Sequence, residues 1–344
     1  MDLVPSDEQS GMVDSVEQFL SKELSVRQLR DRLQADLPVP ASAWAKAGEI
    51  GLFSLGLAAD AGGADAPFVE EVLVFQPMGR HLAPVGFLGS AVATRLADVA
   101  GMTETRDAIG AGTVGVAVGL ATRGATVGAR VDGTFDVFDL PSAEWVLLLS
   151  PETGALALLP AGELTDRRPV SCLDPSTHMT EVAVGGLAPR ALVDGWEQPA
   201  YQLGALLTTA MLVGIAEAVH DAGVQYAKER VQFGRPIGVN QAIKHMCADM
   251  AVRCEATRSL LAFAALAVRD GRGDAAFQVA AAKRLATDAA IENSRANVQI
   301  HGGMGYTWEH DAHLYLSRAH LLDRLFGDVH AQQAAILRTA PAVP

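Results

Sequence analysis

Two short segments in the last third of this 344-residue chain carry residue types suited to a large, charged ligand. In residues 299–306 a glutamine amide precedes the adjacent glycines Gly302 and Gly303. Adjacent glycines let a backbone pass close to a bound group, because no Cβ intervenes. Residues 230–236 begin with an arginine, whose planar fork of donors suits phosphate oxygens. The two segments together predict one binding site for a bulky anion.

Each of these residues also has a structural interpretation. Arg230 ends a helical pattern, where a cation stabilises the helix dipole, and Phe233 has the character of a core residue. Gln232 can cap that helix or donate to a ligand, and the paired glycines can form an ordinary helix C-cap. Gln241 begins the next helix, where a surface role is equally natural. The candidate ligand-binding residues are Arg230, Gln232, Phe233, Asn240, Gln241, Gln299, Gly302 and Gly303.

Several common kinds of catalytic site have no support in the sequence. No Gly-x-Gly-x-x-Gly run follows a strand pattern, and neither a P-loop lysine motif nor a Gly-x-Ser-x-Gly elbow is present. His310 and His313 lie three residues apart, but no third metal ligand accompanies them. The sequence therefore disfavours hydrolase and Rossmann-type functions and predicts no metal site.

Composition limits the partners and the compartment. A net charge of −13 argues against a nucleic-acid partner, which requires a basic face. We expect no membrane span, since no apolar run approaches about 20 uncharged residues, and the polar N-terminus has no signal-peptide pattern. The odd number of cysteines and the absence of metal-type spacing predict a reducing cytoplasm. Cys247 and Cys254, seven residues apart on an amphipathic pattern, are expected to be buried core thiols.

The chain divides into three zones of different character. Residues 1–110 have helical patterns, whereas residues 111–195 contain short apolar runs separated by turn signals, which predict a small antiparallel β domain. Residues 196–344 carry long amphipathic patterns with short breaks, typical of a four-helix bundle. Its third helix is predicted at about 275–298 and its last at about 312–337. The predicted fold class is mainly α with a small β domain.

Taken together, these segments resemble the acyl-CoA dehydrogenase family over nearly the whole chain. The most specific match is Glu229-Arg230-x-x-Phe233-Gly234, followed by Asn240-Gln241-Ala242-Ile243 and by residues 299–306. A weaker match, Trp44-x-x-x-Gly48-x-x-Gly51-Leu52, lies in the first zone. The resemblance implies an N-terminal α-helical domain, a middle antiparallel β domain and a C-terminal four-helix bundle.

The resemblance also implies a cofactor and partners. In the family, FAD lies between subunits, with its flavin ring on one subunit and its ADP half held by the neighbour's bundle. The substrate is an acyl-CoA thioester, and electron-transfer flavoprotein is the expected electron acceptor. The positions that match the family's ADP-binding residues are Arg230, Gln232, Phe233, Gln241, Gln299, Gly302 and Gly303.

The chain departs from the family pattern where the catalytic base is expected. The family reaction removes a proton from the acyl α-carbon, which requires a carboxylate base. At the two positions where the family places this glutamate, the resemblance puts Gly327 and Gly204. Asp328 lies one residue away and is the only weak candidate base. The flavin-contacting motifs of the β domain are also missing from the matching residues 119–126.

These similarities and departures together predict a non-catalytic subunit of a heteromeric, FAD-dependent acyl-CoA dehydrogenase. Its bundle is expected to complete the FAD site of a homologous subunit that supplies the glutamate, as in α2β2 assemblies of actinobacterial steroid side-chain breakdown. A steroid-CoA substrate is an extension of this resemblance. Two alternatives remain open. One is a homomeric dehydrogenase that uses a non-standard base such as Asp328, and the other is a flavin-free scaffold protein.

Overall fold

The computed structural model describes residues 5–35 and 39–340. The first part is helical, and its core is built around Trp44, whose ring lies 5.0 Å from that of Phe87 in an edge-to-face arrangement. The helices of this part are α1 (Asp7–Glu23), α2 (Val26–Gln34), α3 (Ala41–Glu49), α4 (Val69–Arg80), α5 (Val85–Val99) and α6 (Thr103–Gly110).

A seven-stranded sheet follows, and it is mixed rather than purely antiparallel. In the order β5-β6-β2-β1-β3-β4-β7, every neighbouring pair is antiparallel except β1 and β3, where Val116 pairs in parallel with Trp145. The sequence prediction missed this pair, because a short crossover has the same alternation of apolar runs and turns as a hairpin. The strands are β1 (Val116–Ala121), β2 (Val131–Phe138), β3 (Trp145–Leu149), β4 (Leu156–Pro160), β5 (Asp166–Val170), β6 (Met179–Leu187) and β7 (Ala191–Val193).

The last part is a helical bundle. A two-stranded hairpin joins its first two long helices, so the chain reverses direction there. The expected third helix extends to His301, and the expected last helix is instead two helices separated by residues 325–328. The elements are α7 (Pro199–Glu229), β8 (Val231–Gln232), β9 (Arg235–Pro236), α8 (Gln241–Arg269), α9 (Ala275–His301), α10 (Ala312–Arg324) and α11 (Val329–Thr339). The predicted fold class, a helical domain, a β domain and a C-terminal bundle, is confirmed.

Helix α7 is the single helix within residues 5–35 and 39–340 that is long and apolar enough to cross a membrane. The expectation that no such run exists was therefore wrong. In the apolar window of this helix, 83% of the residues are buried inside the protein. Burial of this kind is characteristic of a helix at the centre of a bundle.

The free cysteines differ in their surroundings. Cys254 is buried as expected, and burial raises the pKa of its thiol to about 12. Cys247 is only partly buried, which corrects the expectation of a core thiol. It lies nearly two turns from the start of α8 and packs against the edge of the apolar cluster that contains Met250.

Candidate functional site

Three helix ends meet at one end of the bundle and bring the predicted ligand-binding segments together. Helix α7 ends there, α8 begins there and α9 returns there, around a small apolar cluster that includes Val219, Met250 and Ile300. The ring of Tyr226, in the last turn of α7, stacks on the ring of His301 with centroids 4.1 Å apart. Consequently the segment after α7 and the segment with the paired glycines after α9 leave the bundle from the same end.

The hairpin that follows Arg230 presents an aromatic ring to the outside of the subunit. Phe233 and Gly234 form its two-residue turn with φ values of 52° and 77°, a geometry matched to the twist of a hairpin. The Phe233 side chain is 100% exposed, so its interpretation as a core residue was wrong. A bulky residue at positive φ is strained by about 1 kcal/mol or more, and no contact inside the described protomer compensates for that strain.

The polar candidates at this end of the bundle are exposed and largely uncommitted. The Arg230 guanidinium makes no hydrogen bond or ion pair with any residue in 5–35 or 39–340, and Gln241 and Gln299 are exposed. Gln232 donates only to the carbonyl of Val231, at 3.0 Å. Asn240 has a structural role, since its Nδ2 donates to the carbonyl of Ile237 at 3.0 Å. Arg230, Gln232, Gln241 and Gln299 therefore remain available to a ligand from outside the chain.

The paired glycines border open space. Gly302 ends α9 with φ +60°, a backbone conformation that favours glycine. A Cβ added at Gly302 or at Gly303 would meet no atom within 4 Å. Packing within the chain therefore does not require the second glycine, whereas a ligand approaching the backbone closely would.

A groove with cationic edges lies beside the hairpin. It has a volume of about 430 Å³, and Lys228 and Lys244 lie among its mostly apolar walls. In a chain of net charge −13, this end of the bundle carries a local concentration of exposed cations, which favours an anionic ligand. The groove is lined by Val224, Ala227, Lys228, Pro236, Gly238, Val239, Ile243, Lys244 and Cys247.

The two glycines at the expected base positions lie in a different, densely packed place. A Cβ at Gly204 would lie 2.1 Å from Cε1 of Phe326, whose ring is completely buried. Gly327 has φ +93°, and a Cβ there would lie 2.5 Å from Nε2 of Gln332. The Phe326 ring therefore fills the space beside Gly204, whereas at Gly327 the positive φ disfavours a glutamate and the Gln332 amide lies close by.

The loop between α10 and α11 is held by donors that the sequence analysis did not single out. The fully buried Lys283 donates from Nζ to the carbonyls of Leu322, Asp323 and Gly327 at 3.3, 3.2 and 3.0 Å. Nε2 of Gln332 donates to the carbonyl of Phe326 at 2.9 Å. A lone lysine in an apolar helical pattern was the available signal, because such a residue needs partners when it is buried.

Asp328 acts as a helix cap in this arrangement. Its Oδ1 accepts a hydrogen bond from the backbone N–H of Ala331 at 2.9 Å, and its backbone is extended. This is the usual geometry of an N-cap aspartate at the start of a helix, here α11. The carboxylate is thereby engaged in ending the loop that contains Gly327.

The β-sheet segment that matches the family's flavin-contacting region borders a separate cavity of about 310 Å³. Its walls include the charged side chains of Arg123, Asp136, Glu152 and Arg324. Burial raises the pKa of the Asp136 carboxyl, and nearby Glu181 raises it further. The hydroxyl of Thr122 donates to the carbonyl of Thr134 at 2.7 Å, so it is already committed within the sheet.

The C-terminal histidines lie against other aromatic rings. The ring of His301 lies 4.2 Å from that of His310, and the ring of His313 lies 4.8 Å from that of Trp308. Burial lowers the pKa of all three imidazoles. In the part of the chain that the structure describes, no group of three or more His, Cys, Asp or Glu residues is placed to hold a metal ion.

Sequence comparisons identify the relatives of this chain. Residues 6–107 match the model for the acyl-CoA dehydrogenase N-terminal domain, and residues 194–340 match the model for the C-terminal domain. Acyl-CoA dehydrogenase IpdE2 of Mycobacterium tuberculosis is 30% identical over 326 residues, which cover 92% of each chain. Acyl-CoA dehydrogenase FadE34 of the same organism is 32% identical over 281 residues, which cover 81% of this chain but only 39% of FadE34.

Solved structures show the same fold. Butyryl-CoA dehydrogenase from Megasphaera elsdenii superposes with a TM-score of 0.84 at 20% identity, covering 98% of this chain and 99% of that one. A chain of the ChsE4-ChsE5 complex from Mycobacterium tuberculosis superposes with a TM-score of 0.84 at 22% identity, covering all of both chains. The family is FAD-dependent and its members are oxidoreductases. On the strength of the two domain matches and the full-length similarity to IpdE2, this chain belongs to the acyl-CoA dehydrogenase family.

Proposed function

We propose that this chain is a supporting subunit of a heteromeric acyl-CoA dehydrogenase and completes the FAD site of a homologous partner subunit. The observation that carries the proposal is a contrast between two regions of the chain. The ADP-type residues face outwards and are free to bind, as the fully exposed Phe233 illustrates. The side chains of Phe326 and Gln332 lie against the expected base positions, Gly204 and Gly327.

The end of the bundle suits the ADP half of FAD in its chemistry. A guanidinium at Arg230 can bind pyrophosphate oxygens bidentately, and the exposed ring of Phe233 can stack on an aromatic base. The amides of Gln241 and Gln299 can donate hydrogen bonds, and the open backbone at Gly302 allows close approach. These side chains are exposed, and we propose that the cofactor they hold is shared with a neighbouring subunit.

The other half of the family's chemistry has no matching residues here. Bound FAD would take up the hydride that leaves the acyl β-carbon, while a protein carboxylate removes the α-proton. In this chain Phe326 fills the space beside Gly204, and Asp328 caps α11. We infer that the carboxylate comes from the partner, and that this chain contributes binding and orientation of the cofactor.

The similar proteins include complexes of two different subunits. One structural match is a complex of ChsE4 with ChsE5, and another is described as a steroid ACAD formed by Tcur3481 and Tcur3483. A third belongs to a structure of the electron transferring flavoprotein of Acidaminococcus fermentans. We therefore propose an α2β2 arrangement in the cytoplasm. The proposed substrate is the CoA thioester of a steroid side chain, and the proposed electron acceptor is electron-transfer flavoprotein.

Co-expression with a neighbouring homologous subunit tests this function. The expected result is a stable complex that contains FAD and oxidises an acyl-CoA, whereas this chain alone binds little FAD. Within the complex, Arg230→Ala in this chain should lower the FAD content. Arg27→Ala is the matched control, because Arg27 is an exposed arginine on another helix, α2. An unchanged FAD content in the Arg230→Ala complex would overturn the proposal.

A further inference from the structure

A side chain from the N-terminal helical part is bonded to the segment that follows the paired glycines. Arg30, on α2, donates from NH2 to the carbonyl of Trp308 at 2.6 Å and from NH1 to the carbonyl of Glu309 at 2.7 Å. NH1 also lies 2.8 Å from Oδ1 of Asp311. One guanidinium thus binds three residues of a single loop, about 280 residues further along the chain.

The segment held in this way is continuous with the proposed ADP site. It begins at Gly302, which ends α9, and runs through a 3-10 turn, Gly302–Tyr306, to Asp311. We call residues 302–311 the glycine segment. Within it Gly305 is closely packed, because a Cβ there would lie 2.7 Å from the carbonyl oxygen of Val298.

Most other hydrogen bonds of the glycine segment join residues close to one another in sequence. Thr307 bonds to the carbonyl of Met304, His310 donates to the carbonyl of Thr307, and Ala312 donates to Nδ1 of His310. Among the described residues, Arg30 provides the polar contacts that reach this segment from another part of the fold. The hydrogen bonds of Arg30 therefore link residues 308–311 of the glycine segment to the N-terminal helices.

We propose that Arg30 is a positioning residue for the cofactor. Through the glycine segment it holds the backbone at Gly302 and Gly303 in place for the ADP group of a partner's FAD. This inference rests on the function proposed above. Arginine suits the task because its planar fork can bond two carbonyls and a carboxylate at once, which the single ammonium of lysine cannot do with the same geometry.

The test uses the assembled complex and three variants of this chain. Arg30→Met removes all of the bonds, Arg30→Lys keeps the charge and the pairing with Asp311, and Arg27→Met alters an exposed arginine on the same helix. The dissociation constant of FAD is measured by recovery of flavin absorbance after stripping and titration, well below the thermal midpoint of each complex. Emission from Trp308, isolated by difference against a Trp308→Phe background, reports the conformation of the glycine segment.

We expect Arg30→Met to weaken FAD binding by about tenfold, as the loss of a charge-assisted hydrogen bond would. Arg30→Lys should give an intermediate value, Arg27→Met should have no effect, and Trp308 emission should change in the order of the FAD constants. A purely structural role for Arg30 would lower the thermal midpoint and leave the FAD constant and the Trp308 signal unchanged, which would overturn this inference. If Arg230→Ala weakens FAD binding and the Arg30 variants do not, this inference alone fails. If Arg230→Ala has no effect, the proposed function fails as well.

Discussion

The ring of Phe326 occupies the space that any side chain at Gly204 would need. The distance from an added Cβ to Cε1 of that ring is 2.1 Å, and the distance to Cζ is 2.3 Å. Phe326 in turn meets the ring of Tyr201 edge to face, with centroids 5.6 Å apart. A glutamate at this point of α7 would therefore clash with the core unless the Phe326 ring moved.

Gly204→Ala should destabilise the chain in spite of the higher helix propensity of alanine. A methyl group against the Phe326 ring forces overpacking that costs about 1–3 kcal/mol. Gly11→Ala in α1 is the control, because a Cβ there meets nothing within 4 Å and alanine should stabilise that exposed helix by about 0.5–1 kcal/mol. Urea unfolding of both variants checks this, and equal effects at the two positions would contradict the packing described here.

Lys283 should give the chain an unusual dependence on alkaline pH. Burial lowers the pKa of its ammonium to about 8 in the folded chain, from 10.5. Between these two values the unfolded chain holds a proton that the folded chain has released. The free energy of unfolding should therefore gain a contribution that rises with pH in this window and is lost below about pH 8.

The Lys283→Met variant isolates this contribution. Unfolding free energies of the wild type and of Lys283→Met are compared at pH 7.5 and at pH 10, so that thiols and other groups titrating in both proteins cancel. At neutral pH the variant should be less stable by about 2 kcal/mol or more, since three buried carbonyls lose their donor. A difference between the two proteins that does not change with pH would contradict the lowered pKa of Lys283.

Phe233→Asn should separate stability from cofactor binding. Asparagine adopts positive φ more readily than phenylalanine, so we expect the chain alone to be unchanged or more stable by about 1 kcal/mol. The complex, however, should retain less FAD, because the exposed ring is lost. Leu337→Asn, which alters another exposed apolar residue (82%) on α11, should leave the FAD content unchanged. Full FAD retention in Phe233→Asn would remove Phe233 from the proposed site.

Asp328→Asn tests whether this chain supplies its own base. Asparagine caps helices about as well as aspartate, so stability should change little, whereas Asp328→Ala should cost about 1 kcal/mol through loss of the cap. We expect the Asp328→Asn complex to turn over acyl-CoA at the wild-type rate. Loss of turnover with retained stability would instead support a homomeric dehydrogenase that uses Asp328.

The sequence allowed the architecture to be predicted, because it depends on local patterns. Long amphipathic periods predicted the bundle, and the motifs around Arg230 and Gly302 predicted which helix ends carry polar groups. The parallel pairing of β1 with β3 and the break between α10 and α11 depend on contacts distant in sequence. The break in particular requires Lys283 to reach the carbonyls of residues 322–327, which no local pattern near Phe326 indicates.

The exposure of the candidate site also lay beyond the sequence. Phe233 is apolar, and hydrophobic character alone predicts burial, yet the two-residue turn of the hairpin places its ring outside the subunit. Arg30 was not recognised for a related reason. It lies on a polar helix in the first zone, and its partners Trp308, Glu309 and Asp311 come together with it only in the folded chain.

The flavin content of this chain, measured alone and in complex with a homologous subunit, is the most direct test of its proposed role as a supporting subunit. Absorbance of released FAD is compared with protein concentration, and acyl-CoA oxidation is assayed on the same samples. We expect little FAD and no acyl-CoA oxidation for the chain alone. For the complex, we expect one FAD for each pair of unlike subunits, together with acyl-CoA oxidation. A chain that purifies alone with one FAD per protomer and oxidises an acyl-CoA would contradict it.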